Sequence, residues 1–85
     1  MEKIDYRSQT IKILYEKNPL RLSKLVEKFL LRTNLSPYKF DFNELLSTIW
    51  SLEDEKIIQR DEISKKFYLT ESGKERAREI LQIFE

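Results

Sequence analysis

The chain has 85 residues, enough for one small domain with a thin core, and its 40% hydrophobic and 12% aromatic content argues for a folded unit. It holds no cysteine and no histidine, which excludes disulfides, thiolate metal centres, the usual general base and the commonest zinc ligand. The formal net charge of +1 hides an asymmetry: residues 1–40 carry nine Lys/Arg against four Asp/Glu, while residues 41–85 carry seven against eleven.

A first helix is predicted from Tyr6 to Glu16. Ile11, Ile13, Leu14 and Tyr6 supply its apolar side, and Asp5 accepts bonds from its first N–H groups. Asn18-Pro19 stops it, because proline disfavours the α conformation in the residue before it. Leu20-Arg21-Leu22 is a short alternating piece. Ser23 then offers an N-cap for a second helix over residues 24–32, with Leu25, Val26, Phe29 and Leu30 clustered on one side. Lys24, Lys28 and Arg32 fall within about 80° of one another on an adjoining side. Two readings of that row stay open, a solvated face and a line of phosphate contacts.

Residues 33–40 are polar, contain Pro37 and read as a loop. Asp41 caps a third helix over residues 42–55. Phe42, Leu45, Leu46, Ile49 and Leu52 follow helical spacing and are expected in the core. The opposite side carries Asn43, Glu44, Ser47, Thr48, Ser51 and Asp54. Trp50 is placed at the border, as packing or as a contact for a partner. Residues 57–60 and 66–69 are rich in β-formers and read as a hairpin, with residues 61–65 as its tip. A last helix starts near Glu71, with Ala77, Ile80, Leu81 and Phe84 on its apolar stripe. This order predicts an α+β domain spanning residues 1–85.

The only glycine, Gly73, falls in the first turn of that last helix, just after the capping hydroxyl of Thr70. A mid-helix glycine costs about 1 kcal/mol relative to alanine. Either another backbone approaches so closely that a Cβ would collide, or the first turn simply tolerates it.

Little here supports catalysis. Asp54-Glu55 and Asp61-Glu62 are sequence neighbours whose side chains diverge, and Glu71, Glu75 and Glu79 share one solvated helix side. There is no phosphate-binding glycine loop, nucleophile elbow or metal-ligand cluster. No enzyme, no cofactor and no metal are expected. No apolar run approaches the ~18 residues of a membrane span, and a cytoplasmic protein without membrane contact is expected.

The segment FYLTESGKERAREIL resembles the strand-to-helix junction of winged helix-turn-helix proteins, where aromatic-x-Leu-Thr-x-x-Gly recurs. SLEDEKIIQRD is similar to the Leu-Glu-x-x-Gly-Leu-Ile segment that ends their recognition helix and begins the wing. The likeness covers nearly the whole chain in the correct order. It is closest to compact PadR-, MarR- and ArsR-like transcription regulators of archaeal or phage type. There are departures. Lys56 takes the usual glycine position after the third helix, which argues against a left-handed cap there. The loop between the second and third helices is longer than a tight turn, and residues 41–55 contain no Lys or Arg.

The resemblance implies a three-helix core, a β-hairpin wing and a C-terminal helix, with double-stranded DNA as partner. The third helix would enter the major groove, with Asn43, Ser47, Thr48 and Ser51 toward base edges. Arg21, Ser23, Lys24, Lys28, Tyr38 and Lys39 would hold the DNA backbone, and Arg60, Lys65 and Lys66 would arm the wing. Ile80, Leu81, Ile83 and Phe84 suggest a homodimer, because they exceed what a short terminal helix needs to dock on its own domain; the alternative is that Ile83 and Phe84 complete the monomer core. The competing reading is a winged-helix module for protein–protein contact. The acidic third helix and a pI of about 7.9 favour it, since DNA-binding domains commonly exceed about 9.

Overall fold

The computed structural model describes residues 4–84, and the side chains of residues 4–81. The elements run α1 (Tyr6–Glu16), β1 (Leu20–Arg21), α2 (Leu22–Thr33), α3 (Phe42–Asp54), β2 (Ile58–Arg60), β3 (Lys66–Leu69) and α4 (Glu71–Phe84). Together they make a small α+β domain of four helices and a three-stranded antiparallel sheet ordered β1-β3-β2.

Helix α1 begins as its sequence dictates. The Asp5 carboxylate accepts from the Ser8 N–H at 3.2 Å and the Ser8 hydroxyl at 2.8 Å. Ile11, Ile13 and Leu14 are buried, and α1 packs against α2, α3, α4 and β3. Tyr6 is half-buried: its ring centroid lies 4.8 Å from that of Phe29, and its hydroxyl oxygen accepts the Asp41 N–H at 3.0 Å. One side chain thus ties the start of α1 to the cap of α3.

Helix α2 corrects the expected boundary. It begins at Leu22, directly off β1, and its N-cap is Arg21, which offers no side-chain bond. Ser23 therefore sits inside the first turn. The physical reason is pairing: Arg21 is held extended (φ −75°, ψ 159°) opposite Lys66, so the chain turns into helix one residue later. Leu25 and Phe29 are the buried anchors of α2.

Helix α3 starts at Asp41 as expected, with the Glu44 N–H donating to the Asp41 carboxylate at 3.0 Å. Leu45, Ile49 and Leu52 are fully buried. Phe42 is not in the core: it is 44% exposed, because it opens α3, three residues before the first buried position Leu45, and its ring centroid lies 6.4 Å from that of Phe40. Leu46 is half-buried.

The end of α3 also departs from expectation. Lys56 adopts the left-handed conformation (φ 63°) despite being no glycine. The Ile57 N–H bonds the Leu52 carbonyl at 2.9 Å and the Lys56 N–H bonds that of Glu53 at 3.1 Å, which together satisfy the last helical carbonyls. Buried Leu52 and Ile57 close the cap with apolar contact. The left-handed region costs an L-residue about 1–2 kcal/mol, whereas glycine enters it freely at some entropic cost. Lys56→Gly is expected to raise stability by about 0.5–1 kcal/mol, read as a higher urea midpoint; a midpoint that falls refutes the argument.

In β3, Phe67 and Leu69 are buried while Lys66 and Tyr68 are half-buried, the alternation of a sheet with one face on the core. Gly73 has a clear cause. A Cβ on it would stand 2.1 Å from the Ile57 carbonyl oxygen. The close-approach reading holds, and the tolerated-glycine reading does not. Thr70 caps α4 as expected, its hydroxyl oxygen accepting the Gly73 N–H at 3.1 Å.

Candidate nucleic-acid interface

The outward side of α3 is a single stripe. Asn43, Ser47, Trp50 and Asp54 recur at i, i+4, i+7 and i+11, opposite buried Leu45, Ile49 and Leu52, and all four are exposed. Trp50 is 63% exposed. The border position expected for it is therefore corrected: an i, i+7 pair on a helix differs by only about 20°, so Trp50 lines up with Asn43. That spacing was visible in the sequence.

The other two expected base-reading residues differ from this stripe. Thr48 is half-buried and lines a cleft with Ile4, Asp5, Tyr6, Arg7 and Glu44, against the start of α1. Ser51 is exposed, and its hydroxyl points to the Glu55 carboxylate at 3.4 Å. That carboxylate is held by Arg7, whose guanidinium donates to both oxygens at 2.7 and 2.5 Å. The fork clamps α1 to the end of α3.

Three carboxyls are held below their ordinary pKa. For Glu55 the chief cause is the Arg7 hydrogen bond, which outweighs a small loss of hydration, with the charge of Arg7 adding to it. For Asp5, burial opposes ionisation, but bonds from the Ser8 hydroxyl and amide outweigh it. For Asp61 the Ser64 hydroxyl and amide are responsible. All three groups bind fewer protons folded than unfolded, so the stability they contribute is full above the ordinary values of 4.5 for Glu55 and 3.8 for Asp5 and Asp61. It is lost as pH falls through the lower folded values. Urea midpoints are expected to stay level from about pH 7 to 5 and to drop below about pH 4. Glu55→Gln should shallow that acid limb; an unchanged limb assigns the loss to other groups.

Most of the basic side chains expected to meet DNA fall into three groups. The first is built by strand pairing. Arg21 lies directly opposite Lys66 in the β1–β3 register, so both project from one sheet face, the face away from buried Phe67 and Leu69. Neither has an ion-pair partner among the described residues. Ser23 and Lys24 follow at once in the first turn of α2, both exposed, with Lys24 loosely paired to Glu27 at 3.3 Å.

The second group lies along α2, where the expected row divides. Arg32 is bonded to Glu16 at 2.5 and 3.0 Å. Lys28 is half-buried and shares a cleft with Ile13, Glu16, Lys17, Leu31 and Arg32. The third group is the hairpin. Arg60 lies opposite Phe67, on the other sheet face from Lys66, and lines a cleft with Glu53, Lys56 and Glu62 beside the end of α3. Lys65 is exposed, left-handed (φ 62°) and 3.8 Å from Glu62. The tip is held by the Asp61 carboxylate, which accepts the Ser64 N–H at 2.9 Å. It presents Ile63, 93% exposed, a residue the sequence reading did not single out.

Tyr38 is 99% exposed and Lys39 is exposed, both in the loop before α3, where Lys39 and Phe40 N–H groups bond the Ser36 carbonyl. On α4, Ile80 packs against the chain's own core and Leu81 is half-buried; the side chains of Ile83 and Phe84 lie outside the described residues. Among the described residues no group of three His, Cys, Asp or Glu side chains could hold a metal ion, and no helix is long and apolar enough to cross a membrane. The chain matches no protein-family model, no curated protein and no solved structure.

Proposed function

We propose that this chain is a winged-helix module that binds double-stranded DNA, without catalysing a reaction, as a small cytoplasmic transcription regulator. In this reading α3 lies in the major groove, the β2–β3 hairpin is the wing, and the start of α2 grips the backbone. Support comes from the element order, which agrees with what the sequence resemblance implies.

One observation carries the reading: Arg21 opposite Lys66. Like charges directly opposed across a sheet are destabilising, and no described carboxylate pairs with either. A phosphate backbone passing that point neutralises both, with Ser23 and Lys24 beside them.

The test is a salt titration with mixed-sequence duplex DNA followed by fluorescence anisotropy. Affinity is expected to fall steeply with salt, since each neutralised phosphate releases counterions with a log–log slope near 0.9. Salt-independent binding, or none, ends the proposal. The homodimer belongs to the same proposal, built from α4 and α1 with Ile80, Leu81, Ile83 and Phe84. Sedimentation equilibrium should give twice the chain mass; a monomer at all concentrations removes that part.

A second reading, a winged-helix module for protein contact, is favoured by α3 itself, which lacks Lys and Arg and exposes Phe42 and Trp50. The same titration separates the two.

A further inference from the structure

Resting on the DNA-binding reading, we infer that Asn43 and Trp50 make this module selective for A·T-rich duplexes, with Trp50 as the residue that detects the thymine methyl group. What α3 can offer a groove decides which base pair it suits. The commonest guanine contact is a bidentate Arg or Lys on O6 and N7. The outward stripe of α3 has neither residue, so it has no means to make it.

What the stripe does have suits the other base pair. Asn43 stands in the first turn, exposed, with a carboxamide that matches the N6 donor and N7 acceptor of adenine. Trp50 stands two turns further on the same line, 63% exposed. The two residues are about 10.5 Å apart along the helix axis. That separation is about three base-pair steps at roughly 3.4 Å each.

A large apolar side chain in the major groove meets one apolar feature there, the C5 methyl of thymine. Burying that methyl against the indole is worth something in water; facing a cytosine in its place, the indole meets an amino group it cannot accept from. Ser47, between the two, donates or accepts with either base pair. Asp54 ends the stripe and is the one group on it suited to a cytosine amino group. Glu44 is turned into the cleft beside α1, away from the stripe.

The packing of the domain has no use for Trp50 in this position. The helix is anchored on its other side by Leu45, Ile49 and Leu52, each at most 1% exposed. Trp50→Ala is therefore expected to fold, which a thermal melt would verify before binding is measured.

The experiment uses the full chain and three duplexes of one length: an A·T-rich sequence, the same sequence with deoxyuridine in place of thymidine, and a G·C-rich sequence. The uridine duplex differs from the first only in lacking methyl groups. Wild-type protein should bind the A·T-rich duplex about tenfold or more tighter than the G·C-rich one. Uridine should cost about fourfold per methyl contacted, the equilibrium value of burying one such group. Trp50→Ala should bind the thymine and uracil duplexes equally, and Trp50→Phe should keep part of the difference. Asn43→Ala should reduce the preference for A·T-rich over G·C-rich DNA without changing the response to uracil.

Wild-type binding blind to the uridine exchange, or tighter to the G·C-rich duplex, overturns the inference while leaving DNA binding intact. Failure to bind any duplex overturns the DNA reading itself. Because Trp50 is the only tryptophan of the chain, its fluorescence gives an independent readout. It should quench on the A·T-rich duplex, and emission unchanged at saturation also overturns the inference.

Discussion

Gly73→Ala is expected to destabilise the domain by about 3 kcal/mol and to lower its melting temperature by roughly 15 °C. The added methyl would stand 2.1 Å from the Ile57 carbonyl oxygen and 3.0 Å from the Leu69 side chain. The nearest atom is backbone, so it cannot rotate aside. The Ile57 oxygen is also a hub: it accepts the Thr70 N–H at 3.0 Å and faces the Thr70 hydroxyl at 3.1 Å. Moving it away from the methyl weakens bonds worth about 1 kcal/mol each.

Overpacking of this kind costs about 1–3 kcal/mol by itself, occasionally more. Alanine's better helix propensity returns about 1 kcal/mol, which is too little to reverse the sign. A domain of this size has only about 4–13 kcal/mol of total stability, so the loss is a large share. Thermal and urea unfolding measure it, with exposed Ser72→Ala as a control expected within about 0.5 kcal/mol of wild type. A Gly73→Ala protein as stable as wild type would mean that α4 lies farther from Ile57 than described.

Reversing both charges of the opposed pair, Arg21→Glu with Lys66→Glu, is expected to weaken duplex binding by about 100-fold or more at moderate salt. Two phosphate contacts disappear and two repulsions replace them. At about 1.4 kcal/mol per tenfold, the change corresponds to about 2.8 kcal/mol. The salt slope should fall by about two, since each lost phosphate contact removes close to one unit. Folding should be unaffected, because Arg21 is exposed and Lys66 lies on the outer face of the sheet.

The informative intermediate is the single Lys66→Glu change. It places opposite charges across β1 and β3, which favours the fold while disfavouring the complex. Higher thermal stability together with weaker DNA binding is the expected signature of a like-charge pair kept for a ligand. Unchanged affinity in the double variant would remove the pair from the interface.

The element order was legible because each element carries its own local instruction. Asp5, Asp41 and Thr70 cap helices where hydroxyl or carboxylate oxygens face free N–H groups, and all three act as their positions suggested. The buried Leu45, Ile49 and Leu52 of α3 followed from helical spacing alone. What escaped depended on contacts between distant segments. The cap of α2 falls at Arg21 rather than Ser23, where β1 ends in its pairing with Lys66, 45 positions away. Lys56 takes a conformation that its own side chain disfavours because Leu52 and Ile57 close the cap around it.

The candidate interface was legible in part for the same reason. Residue type marked the cations, but not which of them a carboxylate elsewhere would neutralise, as Glu16 does Arg32. The outward side of α3 was expected from its polar residues, and Asn43 and Ser47 are exposed there. Thr48 proved to face α1, and Trp50 was placed at the border although its spacing matched Asn43. Periodicity gave the face; only the packing of α1 against α3 fixed where that face ends.

The sheet described above has a consequence for how this domain behaves in a crowded solution. Its outer strands, β1 and β2, are two and three residues long, and β1 follows directly on Pro19 and carries Arg21. Open strand rims are where chains stick to one another, and brevity, proline and cationic side chains all blunt them. Backbone-to-backbone growth into fibres is thus denied a foothold at either rim. That leaves side chains on its helices and hairpin as the favoured surface for assembly.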